Sequence, residues 1–188
     1  LSIPGKNRSM EKSRLLLHIC CAPCSTHVID LLRREHEVEA FFYNPNIHPG
    51  EEYRERMAES KRYCRKIGGR FHLGEYDAGN WLRRVKGHEG DEEGGERCRI
   101  CYRVRLEETA RKAKEMRFEF FATTLSVSPH KKAEIINELG AELGEKHGLR
   151  FCEEDFKKKD GFKRSAAMSR EHGMRRQSYC GCVFSRRV

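Results

Sequence analysis

The sequence predicts an α/β fold built on a mostly parallel sheet with helices on both faces. Short apolar runs that are typical of buried strands alternate with segments of helical periodicity, in the order β-α-β-α-β-α-β-α-β. Strands that alternate with helices in this way are joined by right-handed crossovers, which make the strands parallel. The length of 188 residues is that of one ordinary domain.

Five runs are predicted as strands because they are apolar or β-branched and too compact for an amphipathic helix. In chain order they are residues 15–19, 38–43, 70–73, 118–124 and 149–152. Ligands of parallel sheets bind beyond the carboxyl ends of the strands. We therefore expect the chemistry of this protein in the loops that follow these runs.

Four helices are predicted between the strands from apolar spacing and from end signals. The third of them spans residues 96–116 and turns Leu106, Ala110 and Ala113 inward. The first helix is predicted to begin at Ser25 or Thr26. The second begins at Pro49 and ends at Gly68-Gly69, and the fourth begins at Ser128-Pro129 and ends at Gly148.

The remaining segments lack a regular period. Residues 1–13 are polar, so we expect a flexible basic tail followed by a single domain over residues 14–188. Residues 87–95 are acidic and glycine-rich, which predicts a mobile loop. The part from Phe156 onward is rich in Arg and Lys, and we expect it to pack across the site as a C-terminal basic cap.

Composition excludes several classes of protein. The chain has no apolar run of about 18 residues or more and no apolar signal segment, which favours a cytoplasmic protein without a membrane partner. Neither glycine-rich phosphate-binding motif is present. The formal charge of +9 favours a polyanionic partner, with nucleic acid as the first candidate.

The nine cysteines are the feature that most needs a chemical explanation. A chain of this length buries a core without disulfides, and thiols in a reducing compartment serve metal binding or catalysis. Cys64 and Cys152 are isolated, as small buried hydrophobes typically are. The other cysteines form the groups Cys20-Cys21-Ala22-Pro23-Cys24, Cys98-Arg99-Ile100-Cys101 and Cys180-Gly181-Cys182.

Three kinds of site remain open for the first two groups. A zinc ribbon pairs C-x-x-C units about 15 to 20 residues apart, whereas Cys24 and Cys98 are far apart on separate elements. A thioredoxin-like site fits residues 21–24 locally, because they follow a strand and open a helix, but it leaves the other cysteines unexplained. An iron–sulfur site needs about four thiolates and would combine two cysteines of the first turn with Cys98 and Cys101.

Further candidates for catalysis lie near the predicted strand ends. Cys180 and Cys182 have a spacing that suits a redox disulfide or a second metal, with two thiols at a frayed terminus as the alternative. Asp155 and Asp77 are carboxylates at the edge where a parallel sheet places its chemistry. Three histidines are candidate proton donors or simply packed or solvated side chains. They are His18, His48 and His130.

The basic C-terminal part is similar to surfaces that grip phosphates and stack the bases of single-stranded nucleic acid. Arginines and aromatic residues are interleaved in it, and a solvated basic end is the alternative. The residues are Arg164, Arg170, Arg175, Arg176, Arg186 and Arg187 with Phe162, Tyr179 and Phe184.

Several separated motifs together resemble the cobalamin-independent epoxyqueuosine reductase family. They occur in order between Leu15 and Ser185, and their number and length make the resemblance specific. They are Leu17-His18-Ile19-Cys20-Cys21-Ala22-Pro23-Cys24, Tyr43-Asn44-Pro45-Asn46-Ile47-His48-Pro49, Arg97-Cys98-Arg99-Ile100-Cys101-Tyr102, Thr123-Thr124-Leu125 with Ser128-Pro129, and Arg176-Gln177-Ser178-Tyr179-Cys180-Gly181-Cys182.

The resemblance implies an activity, partners and a fold. The activity is reductive removal of the epoxide oxygen from epoxyqueuosine at the tRNA wobble position, the last step of queuosine synthesis. The implied partners are tRNA that carries epoxyqueuosine in its anticodon loop and an electron donor that the sequence does not identify. The implied fold is the nucleotide-hydrolase, Rossmann-like one of tRNA-thiolation enzymes.

The resemblance also implies the residues of the site. It implies a [4Fe–4S] cluster held by Cys20, Cys21, Cys98 and Cys101, and a redox role for the C-terminal cysteine pair. The predicted catalytic residues are Cys180, Cys182 and Asp155. A second, mononuclear iron is associated with the family, and its candidate ligands are Cys24, Cys180, Cys182, Asp77 and Asp155. The alternatives are a zinc- or thiol-stabilised tRNA-binding module and a thioredoxin-like thiol-disulfide oxidoreductase.

Overall fold

The computed structural model describes residues 12–185 and contains a five-stranded parallel sheet with helices packed on it. The strands are β1 (Ser13–His18), β2 (His36–Phe42), β3 (Phe71–Leu73), β4 (Phe120–Thr123) and β5 (Arg150–Phe151). The helices are α1 (Ala22–Leu32), α2 (Gly50–Lys66), α3 (Ala78–Arg84), α4 (Glu96–Glu115), α5 (Ala133–His147) and α6 (Gly161–Glu171). The predicted fold class and its five strands are confirmed.

The order of the strands creates a crevice beside β1. Within the sheet the order is β3-β2-β1-β4-β5, and each neighbouring pair is parallel. The chain therefore builds outward from β1 on one side and then crosses to β4 on the other. Open parallel sheets bind ligands at such a switch point, beyond the carboxyl ends of the strands. The loop with Cys20 and the loop with Thr124 follow β1 and β4 at this point.

The core lies in two layers because successive residues of a buried strand face opposite sides of the sheet. Leu15 and Leu17 of β1 pack on the side that α1 and α2 cover. Leu16 packs on the other side, where α4 and α5 contribute most of the apolar residues. Leu106, Ala110 and Ala113 of α4 are fully buried there, as predicted.

Two predicted helix starts are wrong. Helix α1 begins directly after Cys21, so Ser25 and Thr26 lie inside it and donate hydrogen bonds to the carbonyls of Ala22 and Pro23. Pro23 in the first turn fits this earlier start, since proline lacks the N–H that is unpaired there. Ser128 has an extended conformation and α5 begins only at Ala133, because the residue before a proline disfavours the helical region.

Two helices of the structure have no counterpart in the predicted element order. Helix α3 is capped by the Asp77 carboxylate, which accepts a hydrogen bond from the Asn80 N–H at 2.8 Å, and it buries Trp81. Helix α6 packs against α1 through small residues such as Ser165, whose carbonyl accepts from the Thr26 hydroxyl at 3.5 Å. The buried residues Gly161, Ser165 and Ser169 of α6 recur every four positions, so the expectation of no regular period from Phe156 onward is wrong here.

Two further predictions concern the N-terminal tail and the acidic loop. Residues 1–11 of the predicted tail lie outside the described part, and Ser13 already belongs to β1. Residues 87–95 form turns that the Arg97 guanidinium joins, donating to the carbonyls of His88, Glu89 and Asp91. Within residues 12–185, no helix combines the length and apolar character that a membrane span requires.

Candidate metal centre and active site

Three cysteines lie together in the turn between β1 and α1. The Cys20, Cys21 and Cys24 sulfur atoms are all within 4.8 Å of one another. The abrupt change from strand to helix explains this grouping, since Cys21 immediately precedes the first turn of α1 and Cys24 lies within that turn. The Thr124 hydroxyl after β4 lies 3.5 Å from the Cys20 sulfur and accepts the Cys20 N–H.

The pKa values of the three thiols differ in direction from the usual value. Hydrogen bonds from the Cys21 and Cys24 thiols hold the pKa of Cys20 well below its usual value. The same hydrogen bonding with Cys20, together with burial, raises the pKa of Cys21 and raises that of Cys24 to about 12. One negative charge is therefore favoured in this turn and centred on Cys20. A thiolate is the form of cysteine that binds metals.

A second set of four sulfur atoms lines one cavity. Cys98 and Cys101 are one turn apart at the start of α4, and Cys180 and Cys182 reach the same cavity from the C-terminal segment. The Gly94 N–H donates to the Cys98 sulfur at 3.2 Å. The hydrogen bond from Cys182, together with the hydroxyl of Ser185 at 3.0 Å, lowers the pKa of Cys180 well below its usual value despite burial.

The C-terminal segment is anchored rather than frayed. The His48 N–H donates to the Gly181 carbonyl at 2.7 Å, and the Tyr179 hydroxyl donates to the His48 carbonyl at 2.6 Å. The buried Arg56 guanidinium donates to the carbonyls of Tyr179 and Cys180. Gly181 is required here because its φ is +101° and a Cβ would lie 2.8 Å from the Ile47 side chain. The alternative of two thiols at a loose end is wrong.

Two cations connect the two sets of sulfurs. The Arg105 guanidinium is buried, and Cys101, Cys20 and Cys180 all act on its pKa. The Lys131 side chain lines the same cavity as Cys180 and lies close enough to Cys24 to act on its pKa. Seven of the nine cysteines thus meet at the carboxyl edge of β1 and β4. We call them the thiol site: Cys20, Cys21, Cys24, Cys98, Cys101, Cys180 and Cys182.

The thiol site fits a metal or iron–sulfur group. Its donors are soft thiolates, which select zinc, copper(I) or iron–sulfur clusters. Charged donors in a buried site need a compensating charge, and the buried Arg105 cation supplies one. Burial raises the pKa of Cys101, and the buried Trp81 indole N–H, which makes no hydrogen bond of normal geometry within the described residues, lies close enough to oppose that rise. These observations suit an anionic group bound between the cysteines.

The candidate histidines take structural rather than acidic roles. Burial lowers the pKa of His18 to about 3, so its ring is neutral. Its Nε2 donates to the Tyr43 carbonyl at 3.1 Å, which leaves Nδ1 to accept from the Thr123 hydroxyl at 2.8 Å. His18 therefore joins the ends of β1, β2 and β4 beneath the site. His48 holds the C-terminal segment, and His130 is exposed on the loop before α5.

The candidate aspartates have partners outside the thiol site. Asp77 is the cap of α3. Asp155 forms an ion pair with Lys157 at 2.9 Å and lines a separate cavity between α1 and the segment after β5. Lys157 in turn donates to the Lys131 carbonyl at 3.2 Å, which links Asp155 to the loop that contains Lys131.

Several side chains of the predicted nucleic-acid surface make contacts within the protein. Arg175 forms ion pairs with Glu52 and Glu55 on α2. Phe184 stacks on Trp81 with ring centroids 6.2 Å apart. The partly exposed Phe162 ring has the Arg176 guanidinium 5.2 Å above it. Arg186 and Arg187 lie outside the described residues. The arginine and aromatic pattern thus predicts internal anchoring as well as a basic surface.

Sequence reasoning missed three residues of the site. Arg105 follows Cys101 by one helical turn, Lys131 follows the Ser128-Pro129 pair, and Trp81 is the only tryptophan in the chain. An arginine at the i+4 position of a C-x-x-C pair on a helix was the available signal, because both side chains share one face.

A family profile and individual relatives give this chain the same family assignment. A sequence profile of the family described as epoxyqueuosine reductase QueH matches residues 15–188. The epoxyqueuosine reductase QueH of Streptococcus pyogenes serotype M1 is 37% identical over 180 residues, which cover 93% of this chain and 71% of that protein. The protein of the same name from Thermotoga maritima is 37% identical over 174 residues, covering 91% of this chain and 89% of the relative.

Comparison with solved structures shows the fold. A predicted subunit of tRNA methyltransferase from Methanocaldococcus jannaschii superposes with a TM-score of 0.55 at 10% identity, covering 85% of this chain and 89% of that one. The U34-tRNA thiolase NcsA from Methanococcus maripaludis, solved with its [4Fe-4S] cluster, superposes with a TM-score of 0.51 at 11% identity, covering 88% of this chain and 59% of that one.

Proposed function

The chain belongs to the QueH family of epoxyqueuosine reductases, and we propose that it converts epoxyqueuosine to queuosine at the wobble position of tRNA. The reaction breaks both carbon–oxygen bonds of the epoxide and forms a carbon–carbon double bond. It consumes two electrons and two protons and releases the oxygen as water. The site must therefore take up electrons, deliver protons and hold the modified base.

The observation that carries this proposal is the convergence of seven thiols at one edge of a parallel sheet. A cytosolic binding module needs at most one set of four ligands, and a thioredoxin-like site needs two cysteines. The thiol site exceeds both requirements. It has enough donors for a metal group and for a further pair of thiols beside it.

We propose that Cys20, Cys21, Cys98 and Cys101 hold a [4Fe–4S] cluster. When bound, such a cluster supplies electrons one at a time. Support comes from the lowered pKa of Cys20 and from the i,i+3 placement of Cys98 and Cys101 on one face of α4. The iron–sulfur thiolase with the same fold is compatible with this assignment.

The C-terminal pair is proposed as the second electron store. Cys180 and Cys182 lie in the same cavity as Cys98 and Cys101, and Cys180 is favoured as a thiolate. A dithiol releases two electrons on forming a disulfide, which matches the stoichiometry of the reaction. The same thiolates, with Cys24, would serve equally as ligands of a mononuclear iron.

Lys131 is proposed as the proton donor to the departing oxygen. It lines the cavity that contains Cys98, Cys101, Cys180 and Cys182, where an ammonium group carries a transferable proton. Asp155 is then a positioning residue. It forms an ion pair with Lys157, and the Lys157 ammonium donates a hydrogen bond to the Lys131 carbonyl.

The proposal is tested by anaerobic purification, iron and sulfide analysis, and reduction of tRNA that contains epoxyqueuosine with dithionite as electron source. We expect visible iron–sulfur absorbance and formation of queuosine. Cys98→Ala and Cys101→Ala should lose the cluster, because three thiolates do not complete a four-cysteine cage. Cys64→Ala is the control, since Cys64 is buried in the core away from the thiol site. Zinc without sulfide, or no queuosine from the loaded protein, would contradict the proposal.

A further inference from the structure

The three buried arginines differ in the partners of their guanidinium groups. Arg56 is paired with the Glu52 carboxylate at 2.6 Å. The Arg97 guanidinium donates to three loop carbonyls, and the Asp91 carboxylate of that loop accepts the backbone N–H of Arg97 at 2.8 Å. Arg105 is 2% exposed and has no carboxylate within ion-pairing distance in the part of the chain that the structure describes.

The neighbours of the Arg105 guanidinium are an amide and sulfur atoms. Its Nη2 donates to the Asn44 Oδ1 at 2.7 Å, and the Asn44 amide is itself held by the Ile19 carbonyl. Its Nη1 lies 4.0 Å from the Cys101 sulfur. Its Nε is buried without a hydrogen-bond partner. The guanidinium is therefore fixed from one side by a neutral group and directed toward the thiol site on the other.

A buried cation without an anion is strongly unfavourable. The Cys101 sulfur is 4.0 Å from the Arg105 Nη1, and Cys98, Cys180 and Cys182 line the same cavity as Arg105. We infer that Arg105 is the counter-ion of the thiol site, where its fixed charge offsets the negative charge of the ligands and raises the reduction potential of the group they hold. This inference rests on the proposed function.

The direction of the effect follows from charge. Reduction adds one electron to a group that thiolate ligands already make anionic, and a nearby fixed cation stabilises the more negative state more strongly. Net charge and hydrogen bonds to sulfur are among the levers that set cluster potentials. Arg105 therefore acts through the cysteine ligands as a positioning residue.

The test is a redox titration of the reconstituted protein with dithionite, followed by electron paramagnetic resonance. Arg105→Gln should keep the cluster and take up its electron at least tenfold less favourably, a shift of about 59 mV to lower potential. Arg105→Lys retains the charge and should restore most of the potential. Arg103→Gln is the matched control on the same helix, because Arg103 is partly exposed and paired with Glu142 at 2.6 Å.

Three other results of this experiment bear on the counter-ion role of Arg105. An unchanged potential in a fully loaded Arg105→Gln protein overturns the inference. If Arg105→Gln folds by circular dichroism but takes up no iron, rescue of loading by Arg105→Lys supports the charge role, and failure of the lysine variant overturns it. A wild-type protein without iron and sulfide contradicts the cofactor proposal itself, which separates that failure from an error about Arg105 alone.

Discussion

Cysteine side chains with the same chemistry occupy very different environments in this molecule. Cys64 is 1% exposed inside the core, and burial raises its pKa to about 11. Cys180 lies in the thiol site, where its hydrogen bond with Cys182 lowers its pKa well below the usual value. A thiol with a low pKa binds metal and exchanges with disulfides at neutral pH, whereas a thiol buried among apolar side chains such as Cys64 is inert. The surroundings therefore decide which cysteines carry chemistry.

The role of the C-terminal pair is open to a direct experiment. Cys180→Ala and Cys182→Ala should keep the full sulfide content of the four-iron cluster yet lose queuosine formation down to the background rate, because the second electron store is gone. Iron, sulfide and turnover are measured on the same samples. Cys152→Ala serves as the control, because Cys152 is partly buried outside the thiol site.

The results separate the two proposed roles of this pair. Loss of one iron with sulfide unchanged would make Cys180 and Cys182 ligands of a mononuclear iron. Normal turnover in both variants would show that neither residue has a catalytic role, and loss of sulfide would show that the cluster ligands are assigned wrongly.

At the scale of elements, one buried carboxylate joins three strands of the sheet. Glu39 of β2 is 2% exposed and accepts hydrogen bonds from Arg14 of β1 at 3.1 Å and from His72 of β3 at 2.6 Å. Arg70, just before β3, donates to it at 3.1 Å. Burial acts to raise the pKa of the Glu39 carboxyl, but the hydrogen bonds with His72 and Arg14 outweigh it and lower the pKa.

This arrangement predicts a pH-dependent contribution to stability. Because the folded-state pKa of Glu39 lies below the unfolded value of 4.5, the stabilisation is present above about pH 4.5 and is lost as the pH falls through the folded-state pKa. Glu39→Gln should lower the free energy of unfolding by about 2 kcal/mol at pH 7, with a smaller difference in acid. Urea unfolding at several pH values measures this, with exposed Glu37→Gln as control. An equal loss at every pH would contradict the charge argument.

On the scale of the whole molecule, two lysine-rich loops lie at the edge of the sheet where the strands end. The loop before α5 contains Lys131 and Lys132, and the loop after β5 contains Lys157, Lys158 and Lys159. A hydrogen bond from the Lys157 Nζ to the Lys131 carbonyl ties the loops together. Both follow carboxyl ends of strands, as the thiol site does. We expect the phosphates of the anticodon stem–loop to bind here while the modified base enters the site.

Binding of tRNA should therefore depend on salt and on these lysines. Replacing Lys158 and Lys159 together with Gln should reduce the slope of log affinity against log salt by roughly 0.7 to 0.9 for each phosphate that the protein no longer neutralises. The control removes the same charge from α2, with Lys61→Gln and Lys66→Gln, both exposed positions. Fluorescence anisotropy with labelled tRNA at several salt concentrations gives the slopes. Equal slopes for the two double variants would place the tRNA elsewhere.

Local patterns in the sequence were enough to predict the arrangement of strands and main helices. Apolar runs and helical spacing are local consequences of burial, so they predicted five strands, their parallel arrangement and the main helices correctly. They missed α6, whose buried residues recur at helical spacing but are small rather than strongly apolar, and they failed where proline controls the backbone, as at Ser128. The cysteine motifs also pointed to the seven cysteines that the structure brings together, because soft ligands in short spacings have few structural explanations.

The way those residues combine is set by tertiary contacts. The sequence alone places cysteines after the first strand and at the start of the third predicted helix, but their meeting point depends on β4 lying beside β1. It did not indicate that Arg105 lacks an acidic partner, or that Arg175 and Phe184 are bound within the molecule. Periodicity reports whether a side chain is buried, whereas its partner is set by chain crossings between distant segments, which no local pattern encodes.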